Sequence, residues 1–223
     1  MLILTLAAIA LAPPKFHDPQ PGDQFRYSLV NKYTYSPNPT VGTESGTRTT
    51  TFSKSVIHGV ACLKERTVTD SAAYGRHHTE IYAVWRRDTK PKGQAVAYSQ
   101  DDGPPLILHS ISYHDSRDLK PGTAWSEKFS TPDGSVSSMT AKALRWETVT
   151  CPAGKFPCLV LNMTQTESSH GHTQTTQGSM WWAVGIGAYP KIDYVESTFI
   201  NAYYGTLRKH YTLQLTSYHL ASK

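Results

Sequence analysis

The chain has 223 residues and a formal net charge of +5, with 17% charged and 39% hydrophobic residues. The length suits one large β domain or two small halves. The basic residues are scattered rather than striped and no nucleic-acid motif occurs, which excludes DNA or RNA as the expected partner. Tyrosine is frequent, at 13 residues, and Thr and Ser abound. Such residues suit a pleated, half-buried surface, and few segments have a helical pattern.

The chain opens "MLILTLAAIALAPP", whose apolar run over residues 2–12 is too short to span a bilayer. Ala8-Ile9-Ala10 fits the small-x-small cleavage rule, so residues 1–10 read as a signal peptide, although no Lys or Arg precedes the apolar run. The alternative is a buried first strand or helix. With no Cys near the cleavage site, a lipid anchor is not expected. No other segment is long and apolar enough to cross a membrane as a helix.

Strands are then expected over 24–35, 45–57, 60–69 and 77–86, followed by linking strands over 94–99 and 106–113. A second series is expected over 123–130, 135–150, 156–166 and 173–184, with linking strands over 189–200 and 206–220. "SPNPTVG", "DTKPKG" and "DDGPP" are loops. The two series echo one another. "PGDQFRY" from Pro21 matches "PGTAWSE" from Pro121, and Tyr82-Ala83-Val84 matches Trp182-Ala183-Val184. Cys62 and Cys158 fall in corresponding strand–turn–strand segments. Landmarks in one order argue for a duplicated unit of about 100 residues. The expected organisation is therefore one compact domain of two β-meanders, 21–114 and 119–220.

The last strand alternates, with Leu207, Tyr211, Leu213 and Leu215 on one face and Arg208, His210, Thr212 and Gln214 on the other. That pattern belongs to a sheet with one wet side. "FPCLVLNM" and "SMWWAV" are apolar on both faces, so they are expected at the centre, covered twice. Trp181 and Trp182 then serve opposite faces. A strongly curved antiparallel sheet, half-barrel or barrel-like, meets these demands. Its concave face would hold a core or a ligand.

Of the three cysteines, Cys151 and Cys158 flank the turn "PAGKFP" and are the candidates for a disulfide, which export would permit. The alternative is buried, reduced thiols. His77-His78 and His170/His172 occupy similar places in the two units, but a Ser/Thr/Gln-rich polar loop accounts for them and no metal is expected. No Gly-x-Ser-x-Gly elbow is present. The carboxylates Asp101, Asp102, Glu65, Glu80, Glu147 and Glu167 are scattered, so an enzyme is not expected.

The stretch Trp181-Trp182-Ala183-Val184-Gly185-Ile186-Gly187 through Lys191 resembles the closing signature of a group of uncharacterised exported bacterial proteins. Three further stretches carry the resemblance: Leu119 to Trp125, Val149 to Phe156 and the terminal Gln214-Leu215-Thr216-Ser217-Tyr218. Val184 stands where the group has Pro. The group is similar to the curved half-barrel of the periplasmic lipoprotein carriers LolA and LolB. The resemblance implies the fold, a periplasmic or secreted location and a lipid-like or hydrophobic ligand; it carries no catalytic residue and no cofactor. Trp125, Phe156, Trp181 and Trp182 are the candidate lining residues, as large rings on strands of the better-matched half. The competing reading is that these rings fill a core. An envelope protein bound through a sheet edge, with no small ligand, is the alternative function.

Overall fold

In the computed structural model the described residues are 16–36, 41–57, 59–71, 75–85, 93–101, 103, 106–113, 119–130, 134–169, 172–201 and 205–222. The signal-peptide reading of residues 1–10 lies outside them. The described residues form strands and turns, with no helix.

Twelve strands follow one another. They are β1 (Gln24–Ser36), β2 (Val41–Ile57), β3 (Val60–Ser71), β4 (Gly75–Trp85), β5 (Gly93–Gln100) and β6 (Leu106–Tyr113). The second six are β7 (Ala124–Ser130), β8 (Val136–Cys151), β9 (Gly154–Ser169), β10 (His172–Ala183), β11 (Ala188–Asn201) and β12 (Gly205–His219). Each pairs antiparallel with its sequence neighbours, and β1 also pairs β12, so the strand order returns on itself as a barrel. The wall is uneven. Among the described residues, the β6–β7 seam is held at one paired position, His109 with Ser130, and there the barrel is nearly slit. The segments expected to be linking strands are full members of this wall.

Residues directly opposed on antiparallel strands share a face, so the register traces the barrel's interior from strand to strand. Starting from Leu29 of β1, one rung runs through Leu213, Ile192, Met180 and Leu161 to Ala143 of β8. The final strand points Leu207, Lys209, Tyr211, Leu213 and Leu215 inward, matching the alternation of its sequence. Leu213 and Leu215 are fully buried.

Two clusters make the core. The first gathers Phe25, Leu29, Val149, Phe156, Val160, Trp181, Leu213 and Leu215. The second gathers Ala143, Leu159, Leu161 and Trp182, with Phe16, Trp125, Met180 and Tyr189 packed against it. Val160 and Leu161 therefore serve different clusters, as do Trp181 and Trp182, and the β9–β10 pair is covered on both faces. The tip of the β8–β9 hairpin folds onto β12. Ala153 N–H donates to the Leu215 carbonyl at 3.1 Å, and the Phe156 ring meets Tyr218 at 5.8 Å.

Residues 16–23 form a strap across the same end. His17 N–H donates to the Val184 carbonyl at 3.0 Å, and Phe16 packs on the second cluster. The buried Asp23 carboxylate fastens the strap to the far end of the chain. It accepts from His17 Nε2 at 2.7 Å, from Gln20 N–H at 2.9 Å and from Ala221 N–H at 2.9 Å.

The expected Cys151–Cys158 disulfide is not formed. Cys151 is opposite Gly154 and Cys158 is opposite Glu147, four residues apart along β8. At strand rise that offset is about 13 Å, well beyond the reach of a disulfide. Cys158 instead donates from Sγ to the Phe156 carbonyl at 3.3 Å, and burial pushes its thiol pKa up to about 12.

Candidate functional site

The barrel's interior is graded along its axis. The rung of Leu29, Leu213, Ile192, Met180, Leu161 and Ala143 forms an apolar floor. One step up, the register runs from Glu44 through Asn31, Tyr211, Tyr194, Gly178, Met163 and Ala141 to Trp125. One step further it runs from Tyr33 through Lys209, Glu196, Thr176, Gln165 and Met139 to Glu127. Every residue of this last rung is half-buried, whereas Leu29, Leu213, Leu161 and Ala143 of the floor are buried. Along these strands the lining is buried toward the strap end and more accessible toward the other. From β8 round to β1 it passes from aliphatic to tyrosine and amide to charge, whereas on β2–β3 Arg48 and Glu65 lie on the strap side of the floor rung.

The polar sector lies on β1–β3 and β11–β12. Tyr194 and Tyr211 stack with ring centroids 4.9 Å apart, and Lys209 pairs with Glu196 at 3.3 Å. Arg48 Nε donates to Thr69 Oγ1 at 3.3 Å, and the Thr50 and Thr67 hydroxyls bond at 3.0 Å. Below them sits an enclosed group of ionisable side chains. Burial raises the Glu65 carboxyl from 4.5 to about 6, and the Arg48 charge pulls it part of the way back. Burial also drives the Tyr27 and Tyr189 phenols well above their ordinary value, and the Glu65 charge adds to both. The Glu127 charge of β7 raises Tyr189 further.

Two buried side chains at the middle rung lack partners. Asn31 is 0% exposed, and among the described residues neither its Nδ2 nor its Oδ1 has a hydrogen-bond partner. Glu44, directly opposite on β2, is 7% exposed, and its Oε2 also has none. Tyr33 lies over Gly42, its cross-strand partner, so a larger side chain there would have to displace the ring.

The four aromatic candidates do not meet in one cavity. Phe156 and Trp181 belong to the first cluster, where Trp181 Nε1 donates to Glu147 at 3.1 Å and Lys191 sits 4.4 Å above the ring. Trp182 belongs to the lumen side, against Tyr189 at 4.8 Å, and its Nε1 has no hydrogen-bond partner among the described residues. Trp125 closes the middle rung. It also contributes to an open concavity of about 500 Å³ beside β7–β9, with Ser126, Thr140, Lys142, Asn162 and Thr164. Among the described residues no group of three His, Cys, Asp or Glu could hold a metal; His77 instead hydrogen-bonds Asp101 at 3.3 Å.

Sequence reasoning missed Asn31, Glu44, Arg48, Glu65 and Lys209. Their signal was phase. Each sits two residues from another inward-facing position, in strands whose many Thr and Ser residues hide which face is wet.

Fold and site together describe an up-and-down β-barrel whose described lining runs from buried to half-buried side chains. Among solved structures, the chain is similar to a protein from Bacteroides fragilis that is inferred to be exported and has a YmcC-like fold. The identity is 15% and the TM-score 0.45, over 93% of this chain and 100% of that one. It is also similar to a protein from Parabacteroides distasonis inferred to be a lipoprotein, at 12% identity and a TM-score of 0.41, over 92% and 99% of the two chains. No protein-family model matches the chain, and no curated protein does.

Proposed function

We propose that this is a non-enzymatic, exported binding protein of the bacterial envelope that takes an amphipathic, lipid-like ligand into the open end of its barrel. One observation carries the reading: from β8 round to β1 the inward face grades from a buried aliphatic floor to half-buried Met139, Met163, Gln165, Glu196 and Lys209. A barrel that served only as a scaffold would gain by filling that space with packed apolar side chains. Trp125, Met139 and Met163 line the apolar side of the open half; unbranched Met adapts to a flexible chain. The polar side offers tyrosines, an amide and charge. Trp182 lies in the floor beneath, while Phe156 and Trp181 support the sealed end.

The test is native mass spectrometry of the protein purified from its own envelope, with lipid extraction and uptake of a hydrophobic fluorescent probe. An acyl species carried with the protein, or probe uptake lost in Met163→Arg, is the expected result. A clean apo mass with no probe uptake overturns the reading. One feature favours the alternative of a protein-interaction module: Leu144 and Trp146 on β8 are 39% and 44% exposed. That module would bind its partner through this patch with the lumen empty.

We also infer that the two six-strand halves descend from one duplicated unit. The Pro-Gly turns support this. Gly22 N–H donates to the Phe52 carbonyl while Phe52 N–H donates to Asp23, and Gly122, Ala143 and Thr123 repeat the arrangement.

A further inference from the structure

Asn31 and Glu44 define a finer specificity than a graded lumen requires. A buried polar group left without a partner is costly, and a buried carboxylate oxygen more so. Three such atoms converge here on two directly opposed residues: Glu44 Oε2, Asn31 Oδ1 and Asn31 Nδ2. Two are acceptors and one is a donor. Among the described residues, two lumen cations have other partners. Lys209 is paired with Glu196, and Arg48 bonds Thr69 and faces Glu65 and Tyr194.

We infer that the Asn31–Glu44 pair is the head-group site of the lumen, built for a protonated primary amine that carries a neighbouring oxygen acceptor, as in an amino alcohol. This rests on the proposal that the lumen binds an amphipathic ligand. The ammonium donates to Glu44 Oε2 and Asn31 Oδ1, giving both open acceptors a charged donor. The adjacent oxygen accepts from Asn31 Nδ2. A hard metal ion does not fit, because calcium takes about six to eight oxygen ligands and the amide N–H would face it. A neutral polyol offers these acceptors no charge-assisted donor. Tyr211 flanks Asn31 on β12 and stacks on Tyr194, giving the head group an aromatic wall. Tyr33, lying across Gly42, stands one rung above the pair.

The experiment is a tryptophan-fluorescence titration of the full chain with 2-aminododecan-1-ol and with its N-acetyl derivative, both below their micellar concentrations. The free amine is expected to bind at least about tenfold tighter, the scale of one charge-assisted contact. Glu44→Gln should abolish that preference by weakening binding of the free amine toward that of the N-acetyl compound. In a parallel NMR titration, the Asn31 side-chain amide signal should shift with the amine probe, which keeps the test open should the variant not fold. Equal binding of the two probes by the native protein, a preference retained in Glu44→Gln, or an unmoved Asn31 signal overturns the head-group inference and leaves the lumen reading standing. Uptake of neither probe overturns both.

Discussion

The enclosed carboxyl of Glu65 provides a quantitative handle on the barrel interior. Two influences oppose each other there: removal from water, which disfavours the charged form, and the Arg48 charge, which favours it. Removal from water wins, since the folded carboxyl titrates at about 6 rather than 4.5. The folded state therefore holds the proton more tightly than the unfolded state. Stability is highest below the unfolded value, falls as pH rises between the two values, and stays reduced above about 6. The displacement corresponds to at most about 2 kcal/mol. Glu65→Gln keeps the shape and removes the charge, so it should gain up to about 2 kcal/mol at pH 8 and nothing at pH 4. Urea unfolding of both proteins across that range measures the difference directly. A difference that does not change with pH, or a variant less stable at pH 8, would show that the Arg48 attraction outweighs burial and refute the reasoning.

Three further outcomes are expected. Gly178→Ala should destabilise by about 2 kcal/mol or more, read as a lowered melting temperature, because a Cβ there meets the Asp193 carbonyl and Tyr194 Cα, backbone that cannot step aside. Asp23→Ala should cost about 3 kcal/mol in chemical denaturation and speed hydrogen exchange at Gln20 and Ala221, since it strips three donors of one buried carboxylate. Thiol titration after unfolding without reductant should find all three cysteines free, and in the folded protein Cys158 should react far more slowly than Cys62, which is less buried.

Much of the wall was legible because strand formation writes itself locally. The alternation of Leu207, Tyr211, Leu213 and Leu215 named the inward face of β12, and every expected strand lies within a few residues of an observed one. The doubly apolar stretches around Leu159–Leu161 and Trp181–Trp182 announced strands covered twice, and that is where the two clusters meet. What stayed hidden depends on partners distant in the chain. The register at the β8–β9 turn, which separates Cys151 from Cys158, is fixed by pairing around Gly154 rather than by the spacing of the cysteines. The inward set of β2 alternates Gly, Glu, Gly, Arg and Thr, which by itself reads as a wet exterior. Only closure against β12 turns Glu44 and Arg48 into lumen residues. Adjacent Trp181 and Trp182 were legible as facing opposite sides of the sheet, but the company each ring keeps was not, because it depends on which distant strands fold over that face.

The pairing of β1 with β12 also orders events in time. A chain made from its N-terminus must present the backbone of β1 along one side with no companion until residues 205–219 have been synthesised. Leu29, Asn31 and the rest of that edge are formed well before the strand that covers them. An unprotected edge of this length invites pairing with another chain. Passage through an export channel as an extended polypeptide, with folding only after the last strand arrives, would remove that interval of exposure. A cytoplasmic history would demand a chaperone to guard it.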